Sequence, residues 1–502
     1  MTNVSPDGSA SEEHVVNEFG YRQELRRTLR QFSVFAVAFS IISITTGIFL
    51  NYSFAFSELG PASIWTWPLA AVGQTLVVLV LAELATRIPL AGANYQWASR
   101  LVGPTYGWFV GALGILNLAV GLPGIMLLAA SPLLEYVLGI AAPSPRLTLF
   151  LALLILTVAY LINVISVQVA ARVNNIAVFT EILGTVVLAV GLFVLWVAGY
   201  KDTGHGIGYL GHAVHPPGQS YFYAIVLASL LGIYTIVAFE TAADMSEEAV
   251  DAQRSVPRAM IGAVVISAVL GMIVLIGFTI AIPSDAVIAE GGLPGVFQYW
   301  IGSGLARTFV GIVVFSMFAL TVVGAAASAR LLFAMARDNM LPGSKAIARV
   351  NRRTLTPLPA LLVSYTLCVA VMVYGYNSGN AFGTLVGATA LAPYLVYLLT
   401  VIAYGAKRRR LETLPGAFNL GRFAVPVFVA ALVWLVAAVL ALSLPSEFHK
   451  AVYYVVGGLV LATLWWLFAL RPRIKKGAAG PMMVRDVAAS DPSAESPSPT
   501  GR

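Results

Sequence analysis

The chain has 502 residues, of which 59% are hydrophobic and only 11% are charged, and its mean hydropathy is +0.84. Soluble domains carry about 25% charged residues, so this composition excludes an ordinary soluble protein and indicates a polytopic membrane protein. The formal charge of +7 is explained by basic cytoplasmic loops, and nucleic acid is not expected as a partner. The single cysteine, Cys368, excludes a disulfide within the chain.

Residues 1–31 are expected to form a cytoplasmic N-terminal segment. Residues 1–20 are polar and acidic and have neither the apolar core nor the cleavage site of a signal peptide, so the first hydrophobic segment should stay in the membrane. Arg22, Arg26, Arg27 and Arg30 precede that segment, and arginines this close to a membrane entry favour a cytoplasmic N-terminus.

Twelve apolar segments follow, and a bilayer span takes about 20 residues. They lie at approximately 32–58, 63–85, 105–131, 147–166, 173–199, 221–245, 259–282, 305–336, 357–376, 382–405, 424–443 and 450–470. The predicted fold class is therefore an all-α polytopic membrane protein with 12 transmembrane helices.

The distribution of Lys and Arg among the loops predicts the topology. With the N-terminus inside, most basic residues, including the run at 407–410, fall on the cytoplasmic side. The outer side receives only Arg146, Lys201, Arg307 and Lys450. Both termini should be cytoplasmic, in the plasma (inner) membrane of the cell, and residues 471–502 should form a disordered cytoplasmic tail.

Three histidines, His205, His212 and His215, lie in the predicted outer loop 200–220. Their spacings match no familiar metal site, and no cysteine or carboxylate cluster supports one. Neither a phosphate-binding glycine-rich loop nor a pore-filter motif is found, so an ATP-driven pump and an ion channel are disfavoured. We expect no metal, no cofactor and no enzymatic activity.

The first apolar segment, residues 32–58, carries polar and small residues in its middle: Ser43, Thr45, Thr46 and Gly47. Backbone that leaves the helix inside a membrane persists only where it lines a cavity or is buried in protein. A helix broken at mid-membrane offers N–H groups to an anion and carbonyls to a cation. The segment therefore predicts a binding site for a small zwitterion.

The sixth segment also contains an interruption, because Glu240 follows Thr235 inside an apolar run. Ionisable residues within a membrane face a cavity or a partner and mark functional sites by default. The alternative is that Glu240 lies at the cytoplasmic end of the helix, close to Glu247 and Glu248. Interrupted spans one and six, five apart, predict a 5+5 inverted repeat: 32–199 and 221–405, with 424–470 as two appended helices.

Four stretches resemble the amino acid–polyamine–organocation (APC) permeases. They are residues 45–49, where the family usually has Gly-Ser-Gly-Ile-Phe; residues 83–89 with 92–95 and 103–104; residues 239–241 with 246–248 and 257–259; and residues 329–338 with 341–342 and 357. Residues 20–25 and 415–422 also look like the amino acid/choline subgroup, which includes γ-aminobutyrate permeases. The resemblance implies a LeuT-like fold with helices 1 and 6 broken at mid-membrane.

The resemblance also implies the substrate-binding residues. The carboxylate-binding turn falls on Thr45, Thr46, Gly47 and Ile48, where Thr45 replaces the usual first glycine. Tyr234 falls where the family places an aromatic side chain over the substrate. Carbonyls near Ser43, Val237 and Ala238, with Phe239 beside them, would complete an ammonium site. The alternatives are a hydroxyl bonded to the preceding turn of an unbroken helix and a tyrosine packed in the core.

Weaker binding candidates are Asn117 in helix 3 and Thr384 or Thr389 in helix 10, for which hydrogen bonding between helices is the alternative role. The candidates for a coupling proton are Glu181 and Glu240, since desolvation favours the protonated form of a buried carboxylate; a carboxylate bonded to a neighbouring helix is the alternative. A sodium site needs several oxygen ligands, and helix 8 offers only Ser328. This disfavours sodium as the coupling ion.

Gate contacts are expected at Arg87, Arg100, Arg337 and Asp338. The alternative is that these arginines reflect only the cytoplasmic bias of positive charge. Asp244, Glu247 and Glu248 are expected to lie opposite this basic surface.

The predicted function is secondary transport of an amino acid or a γ-amino acid, coupled to protons or by exchange. One alternative is a transporter of choline or another amine without a carboxylate, which would leave the helix 1 N–H groups without their partner. Another is a receptor that binds a nutrient without moving it. The expected partners are the small-molecule substrate and the lipid bilayer, with a homodimer as a candidate assembly.

Overall fold

A computed structural model describes residues 16–25, 27–201, 203, 205–351, 354–377, 385–410 and 418–481. The candidate Thr384, most of the predicted C-terminal tail and part of the 415–422 motif lie outside these residues. The helices are α1 Gln31–Ile42, α2 Ile44–Leu59, α3 Thr66–Arg87, α4 Ala93–Leu101, α5 Pro104–Ile125, α6 Ser131–Leu138, α7 Pro145–Ile165, α8 Val167–Val197, α9 Tyr221–Ala228, α10 Leu230–Thr235, α11 Thr241–Asp244, α12 Ala252–Ile280, α13 Asp285–Arg337, α14 Ser344–Ile347, α15 Leu358–Tyr376, α16 Gly387–Lys407, α17 Ala424–Ala441, α18 His449–Trp465 and α19 Arg471–Lys475.

Shorter helical segments link some of these helices. Met126–Ala130 and Trp466–Leu470 are π-helical and continue α5 into α6 and α18 into α19. The 3-10 segments are Gly60–Trp65, Ile207–Gly211, Ser246–Glu248, Arg408–Arg410, Gly421–Phe423 and Ser446–Phe448. Among the described residues, the only β-structure is one isolated parallel β-bridge between Leu29 and Ala249. The predicted all-α architecture is confirmed for the described residues.

Ten helical stretches within the described residues are long and apolar enough to cross a membrane. The first, Gln31–Arg87, has 57 residues and contains the first two predicted spans. At 1.5 Å per residue it would extend about 85 Å, more than twice the hydrocarbon thickness of about 30 Å. The sixth predicted span corresponds to a shorter apolar stretch, Tyr221–Thr235. The count of 12 spans and the inverted repeat stay predictions.

The first span is interrupted at Ser43, between α1 and α2. Ser43 has φ 37° and ψ 87°, a left-handed conformation that costs a residue other than glycine about 1–3 kcal/mol. Its hydroxyl compensates in part, because Oγ accepts a hydrogen bond of 3.3 Å from the Thr46 N–H at the start of α2. The interruption lies where the polar run of the sequence predicts it.

The sixth span is interrupted after Thr235, where α10 ends. Ala238 has φ +61°, and helical structure resumes only with α11. Two tyrosines of α16 satisfy backbone groups near the break. The Tyr397 hydroxyl accepts a hydrogen bond of 2.7 Å from the Ala238 N–H, and the Tyr394 hydroxyl donates one of 3.1 Å to the Ile233 carbonyl. Neighbouring side chains thus replace the backbone partners that a continuous helix would supply.

The two interruptions pack directly against each other through a glycine. A Cβ atom built on Gly47 would lie 2.0 Å from Oγ1 of Thr235, so α2 and α10 approach too closely for any other residue at position 47 without a shift. The helix α13 packs against α2, and α16 packs against α10. The helix α13 is not continuous, because Gly292 and Gly302 have non-helical backbone angles.

One end of the bundle carries the N-terminal segment and is called the N-terminal face; it contains residues 16–25 and 27–30, Glu247, Glu248 and Arg337. The carbonyl of Glu248 accepts hydrogen bonds of 3.0 Å from the N–H groups of Thr28 and Leu29. The Arg337 guanidinium binds the Glu247 carboxylate at 2.9 and 3.2 Å. This is the end that the charge distribution predicts to be cytoplasmic.

Candidate functional site

A cavity of about 550 Å³ lies between the two helix interruptions. Its walls are aliphatic apart from a few hydroxyl, amide and aromatic groups, and no charged side chain among the described residues lines it. The lining residues are Ile41, Ile42, Thr46, Gly47, Asn117, Leu118, Gly121, Leu122, Ile125, Tyr234, Val237, Ala238, Leu320, Gly324 and Thr389.

Five of the predicted substrate-binding residues line this cavity: Thr46, Gly47, Tyr234, Val237 and Ala238. The weaker candidates Asn117 and Thr389 line it as well.

The other four predicted binding residues do not line the cavity. The side chains of Ser43 and Thr45 hydrogen-bond to Glu181 of α8. Ile48 and Phe239 are fully buried in the apolar core. Successive residues of a helix point about 100° apart, so adjacent positions of α2 face different neighbours.

The N–H groups at the start of α2 already have partners within the protein. The Thr45 N–H donates to the Glu181 carboxylate at 3.2 Å, and the Thr46 N–H donates to Ser43 Oγ at 3.3 Å. The Gly47 N–H donates to the Ser43 carbonyl at 3.1 Å. A ligand carboxylate at this turn would therefore replace existing hydrogen bonds.

Glu181 is the carboxylate nearest the first interruption and is 2% exposed. One of its oxygens, Oε1, accepts three hydrogen bonds: from Thr45 Oγ1 at 2.7 Å, from the Thr45 N–H at 3.2 Å and from Ser43 Oγ at 3.2 Å. A negative charge here also faces the positive end of α2. The sequence identified Glu181 only as a candidate for the coupling proton, whereas the structure brings it to the break itself.

A second cavity, of about 460 Å³, adjoins the first toward the N-terminal face. We call it the acidic chamber and define it by Asn94, Tyr95, Glu240, Thr241 and Asp244, which all line it. The two cavities share three lining residues: Asn117, Leu118 and Ala238.

Glu240 is buried and lines the acidic chamber, where the Tyr397 hydroxyl donates a hydrogen bond to its carboxylate. Asp244, which the sequence predicts to lie opposite the basic surface of the gate arginines, lines the same chamber one helical turn after Glu240. The sequence analysis does not identify Asn94, Tyr394 and Tyr397 as residues of the site. The spacing of the two tyrosines, three residues apart on one face of an apolar helix, was the available signal.

The predicted gate residues take part in separate contacts near the N-terminal face. Arg87 forms an ion pair with Glu83, one turn earlier in α3. Arg337 pairs with Glu247. Asp338 accepts hydrogen bonds from the Tyr21 hydroxyl at 2.6 Å and the Tyr95 hydroxyl at 2.7 Å.

Tyr21 connects the N-terminal segment to this network. Burial, together with the negative charge of Asp338, raises the pKa of Tyr21 above its ordinary value, so the hydroxyl remains a hydrogen-bond donor. The guanidinium of Arg337 lies 3.7 Å from the centre of the Tyr21 ring, a cation–π contact. The N-terminal segment thus closes this end of the bundle beneath the acidic chamber, whose residue Tyr95 shares the Asp338 carboxylate.

Comparison with known proteins decides the family. Residues 29–470 match the sequence model of a family described as amino acid permeases. The chain belongs to the amino acid permease family. The permease is 28% identical over 499 residues to the amino-acid permease BAT1 of Arabidopsis thaliana, an alignment that covers 91% of this chain and 94% of the plant protein.

Other relatives of the permease come from rice and a fungus. It is 28% identical over 490 residues to a BAT1 homolog of Oryza sativa subsp. japonica, covering 91% of this chain and 93% of the rice protein. It is 24% identical over 455 residues to amino-acid permease 2 of Neurospora crassa, covering 86% and 81% of the two chains. The predicted resemblance to APC permeases is confirmed, and the permease is a multi-pass membrane protein.

Proposed function

We propose that the permease is a secondary transporter that moves an amino acid or a γ-amino acid such as γ-aminobutyrate by alternating access. The observation that carries this proposal is the cavity of about 550 Å³ between the two helix interruptions. Interrupted helices that meet in a membrane protein supply both polarities of backbone group to one ligand. The printed names of the relatives, amino-acid permeases, support the same substrate class.

In this proposal the substrate carboxylate binds at the start of α2, beside Thr46 and Gly47. The positive end of α2 attracts the anion, and the N–H groups of these residues exchange their bonds to Ser43 for bonds to the ligand. The substrate ammonium binds carbonyls of the second break, at Val237 and Ala238. The ring of Tyr234 covers the ligand, and an aromatic face also suits an ammonium group.

Glu181 is the proposed site of the coupling proton. Three hydrogen bonds from Ser43 and Thr45 hold the Glu181 carboxylate at the break. The protonation state of Glu181 is therefore linked to the position of α2. When the carboxylate is protonated, the charge that holds the Thr45 N–H is lost, and α2 is freer to move. Glu240 is the second candidate for the proton site. Exchange of one substrate for another, without net proton movement, is the alternative form of coupling.

A transporter of choline or a similar amine is the runner-up. The observation that favours it is that the N–H groups of α2 already have protein partners, while Tyr234 lines a cavity whose walls are mostly aliphatic. A receptor on the same fold would bind the ligand in this cavity without moving it.

We further propose that residues 32–199 and 221–405 form two inverted repeats and that residues 424–470 are appended helices. Residues 1–31 and 471–502 would then be cytoplasmic segments on the inner side of the plasma membrane. A homodimer is the candidate assembly for this permease.

The deciding experiment is uptake into proteoliposomes that contain the purified permease. Radiolabelled γ-aminobutyrate, a panel of amino acids and choline are each offered with and without an inward proton gradient. Gradient-dependent uptake of a substrate that bears a carboxylate supports the proposal. Uptake of choline alone supports the amine transporter, and binding without flux supports the receptor.

A further inference from the structure

The basic run at residues 407–409 lies where α16 ends, close to the N-terminal face. The Tyr404 hydroxyl, just before the run, donates a hydrogen bond of 2.7 Å to the Glu83 carboxylate near the end of α3. The chain after α3 reaches the N-terminal face, because the Ala91 N–H donates to the Glu247 carboxylate at 3.1 Å. The basic run therefore directly follows a helix long enough to cross the membrane, where Lys and Arg are at the level of the lipid headgroups.

The start of α17 packs beside the same end of α16. A Cβ atom built on Gly405 would lie 2.3 Å from Cζ of Phe428, and the rings of Tyr404 and Phe428 are 6.4 Å apart. Arg422 precedes Phe428 by fewer than two helical turns. The packing of α16 against α17 thus brings Arg422 to the same end of the bundle as the basic run.

Both helices carry an exposed apolar stripe that ends in an arginine. On α16, Ile402 and Arg409 are both exposed and are seven residues apart, which places them on one face of the helix. On α17, the exposed residues Val429 and Val425 lead to the exposed Arg422 at spacings of four and three residues. In a membrane protein such stripes contact lipid tails, so the two arginines lie where the apolar surface ends.

The positive charges at this end have no carboxylate partner among the described residues. Neither the basic run nor Arg422 forms an ion pair there. The Glu83 carboxylate, which accepts the hydrogen bond from Tyr404, is already paired with Arg87. The guanidinium of Arg422 lies 4.9 Å from the centre of the adjacent Phe423 ring, which leaves its charge in place. Positive charge therefore accumulates here without compensation.

Arg408 gives an independent indication that an anion binds here. Its Nη1 atom is buried and has no hydrogen-bond partner in the part of the chain that the structure describes. A buried donor on a charged group is unfavourable without an acceptor, so an acceptor is expected when the site is filled. A guanidinium binds phosphate oxygens through two parallel N–H groups, which makes a phosphate the complementary ligand.

We propose that the basic patch, defined as Lys407, Arg408, Arg409 and Arg422, binds the phosphate headgroup of an anionic phospholipid. The acyl chains of the lipid lie along the exposed stripes of α16 and α17, beside Phe423, which is 57% exposed. A soluble anion would use only the charges, whereas a phospholipid matches both the charges and the adjoining apolar surface.

A lipid at the basic patch stabilises the helix that supports the second interruption. Tyr397 of α16 accepts the hydrogen bond of 2.7 Å from the Ala238 N–H. Fixing the end of α16 at the headgroup level therefore restrains the helix on which this break depends. The inference concerns the lipid-facing surface and does not depend on which substrate the permease carries.

The test measures lipid binding to delipidated permease in a neutral detergent by native mass spectrometry. Dioleoylphosphatidylglycerol and dioleoylphosphatidylcholine have the same acyl chains and differ in net charge. We expect the wild type to bind the anionic lipid at least about tenfold more tightly. In R409Q/R422Q this affinity should fall about tenfold, while affinity for the neutral lipid should change by less than about twofold. Both arginines are exposed, so these substitutions are not expected to disturb folding.

Two further variants complete the experiment. R408Q tests the buried donor by itself and should weaken binding of the anionic lipid about threefold or more. K475Q/K476Q is the matched control, because it also removes two exposed positive charges near the N-terminal face. Arg473, close to both lysines, donates a hydrogen bond of 2.9 Å to Asn339, next to Asp338 in the chain. The control should leave binding of both lipids unchanged.

Four results would overturn the inference. Equal affinity of the wild type for the two lipids would show that the headgroup charge is not recognised. An equal loss in K475Q/K476Q would indicate general attraction to a basic surface. Unchanged affinity in both R409Q/R422Q and R408Q would place the lipid elsewhere. Binding of glycerol 1-phosphate as tightly as the anionic lipid, measured by competition, would assign the patch to a soluble anion.

Discussion

The carboxylate of Glu181 accepts a hydrogen bond of 3.2 Å from the backbone N–H of Thr45, a residue 136 positions earlier in the chain. The contact joins α8 to the first residues of α2 at the break. Because the Thr45 hydroxyl binds the same oxygen at 2.7 Å, one carboxylate holds both the backbone and the side chain of the turn.

The first prediction concerns E181Q. Glutamine keeps an acceptor oxygen for Thr45 but cannot gain or lose a proton in the physiological range. We expect stimulation of uptake by an inward proton gradient to disappear, while exchange of labelled for unlabelled substrate falls by no more than about threefold. Uptake and exchange in proteoliposomes measure both quantities.

The matched control for this prediction is E135Q. Glu135 is 3% exposed and accepts a hydrogen bond of 2.7 Å from Thr148, but it lines neither cavity. It should keep the response to the gradient. A normal response in E181Q would remove Glu181 from the coupling mechanism and leave Glu240 as the candidate.

The second prediction concerns the close contact between the two interruptions. In G47A, the new methyl group would lie 2.0 Å from Oγ1 and 2.4 Å from Cγ2 of Thr235. Overpacking of this kind costs about 1–3 kcal/mol and would separate α2 from α10. We expect substrate affinity to fall about tenfold or more, as measured by scintillation proximity on the purified protein.

Removing the opposing side chain should reverse this effect. The double variant G47A/T235G has no side chain at position 235 and should recover much of the lost affinity. G311A is the control, because a Cβ atom at helical Gly311 meets no atom within 4 Å. Full affinity in G47A would mean that the contact between α2 and α10 does not shape the binding site.

The third prediction concerns the buried ion pair near the N-terminal face. Arg330 and Glu248 are joined at 2.7 Å, and their side chains are 3% and 2% exposed. In R330M the Glu248 carboxylate stays buried without its partner, which costs about 3–5 kcal/mol. The temperature at which half of the detergent-purified protein stays monodisperse should fall by roughly 5 °C.

The double variant R330M/E248L should recover part of this loss, since replacing both partners by apolar groups leaves no unpaired charge. R254M serves as control, because Arg254 is exposed. If R330M were as stable as the wild type, the ion pair would contribute nothing to the stability of the protein.

The fourth prediction separates amino acid from amine recognition at Tyr234. In Y234F the aromatic face is kept, so we expect substrate affinity within about threefold of the wild type. Y234L removes the ring, and a ligand held chiefly by a cation–π contact should lose about tenfold or more. Competition by choline and by γ-aminobutyrate against a bound radioligand measures both. A tenfold loss for choline with a smaller loss for γ-aminobutyrate would show that the carboxylate supplies the remaining affinity.

The sequence by itself determined the class of the protein and the positions of its two interruptions. A low charged fraction with long apolar runs leaves a membrane protein as the only consistent class. Polar residues at 43–47 and a carboxylate at 240 predict breaks there, because lipid cannot satisfy exposed backbone. The four family motifs, in the order in which they occur along the chain, identified the family without any structural information.

Only the tertiary structure decided which neighbour each residue meets. Thr45 and Thr46 are adjacent in the chain, yet Thr45 binds Glu181 and Thr46 lines the cavity. Asp244, expected only to lie opposite the gate arginines, lines the acidic chamber with Glu240. A helical residue points about 100° away from its neighbour, and the rotation of each helix is set by packing against helices distant in sequence. That rotation is not encoded in any local pattern, so the partners of these side chains became visible only in the folded chain.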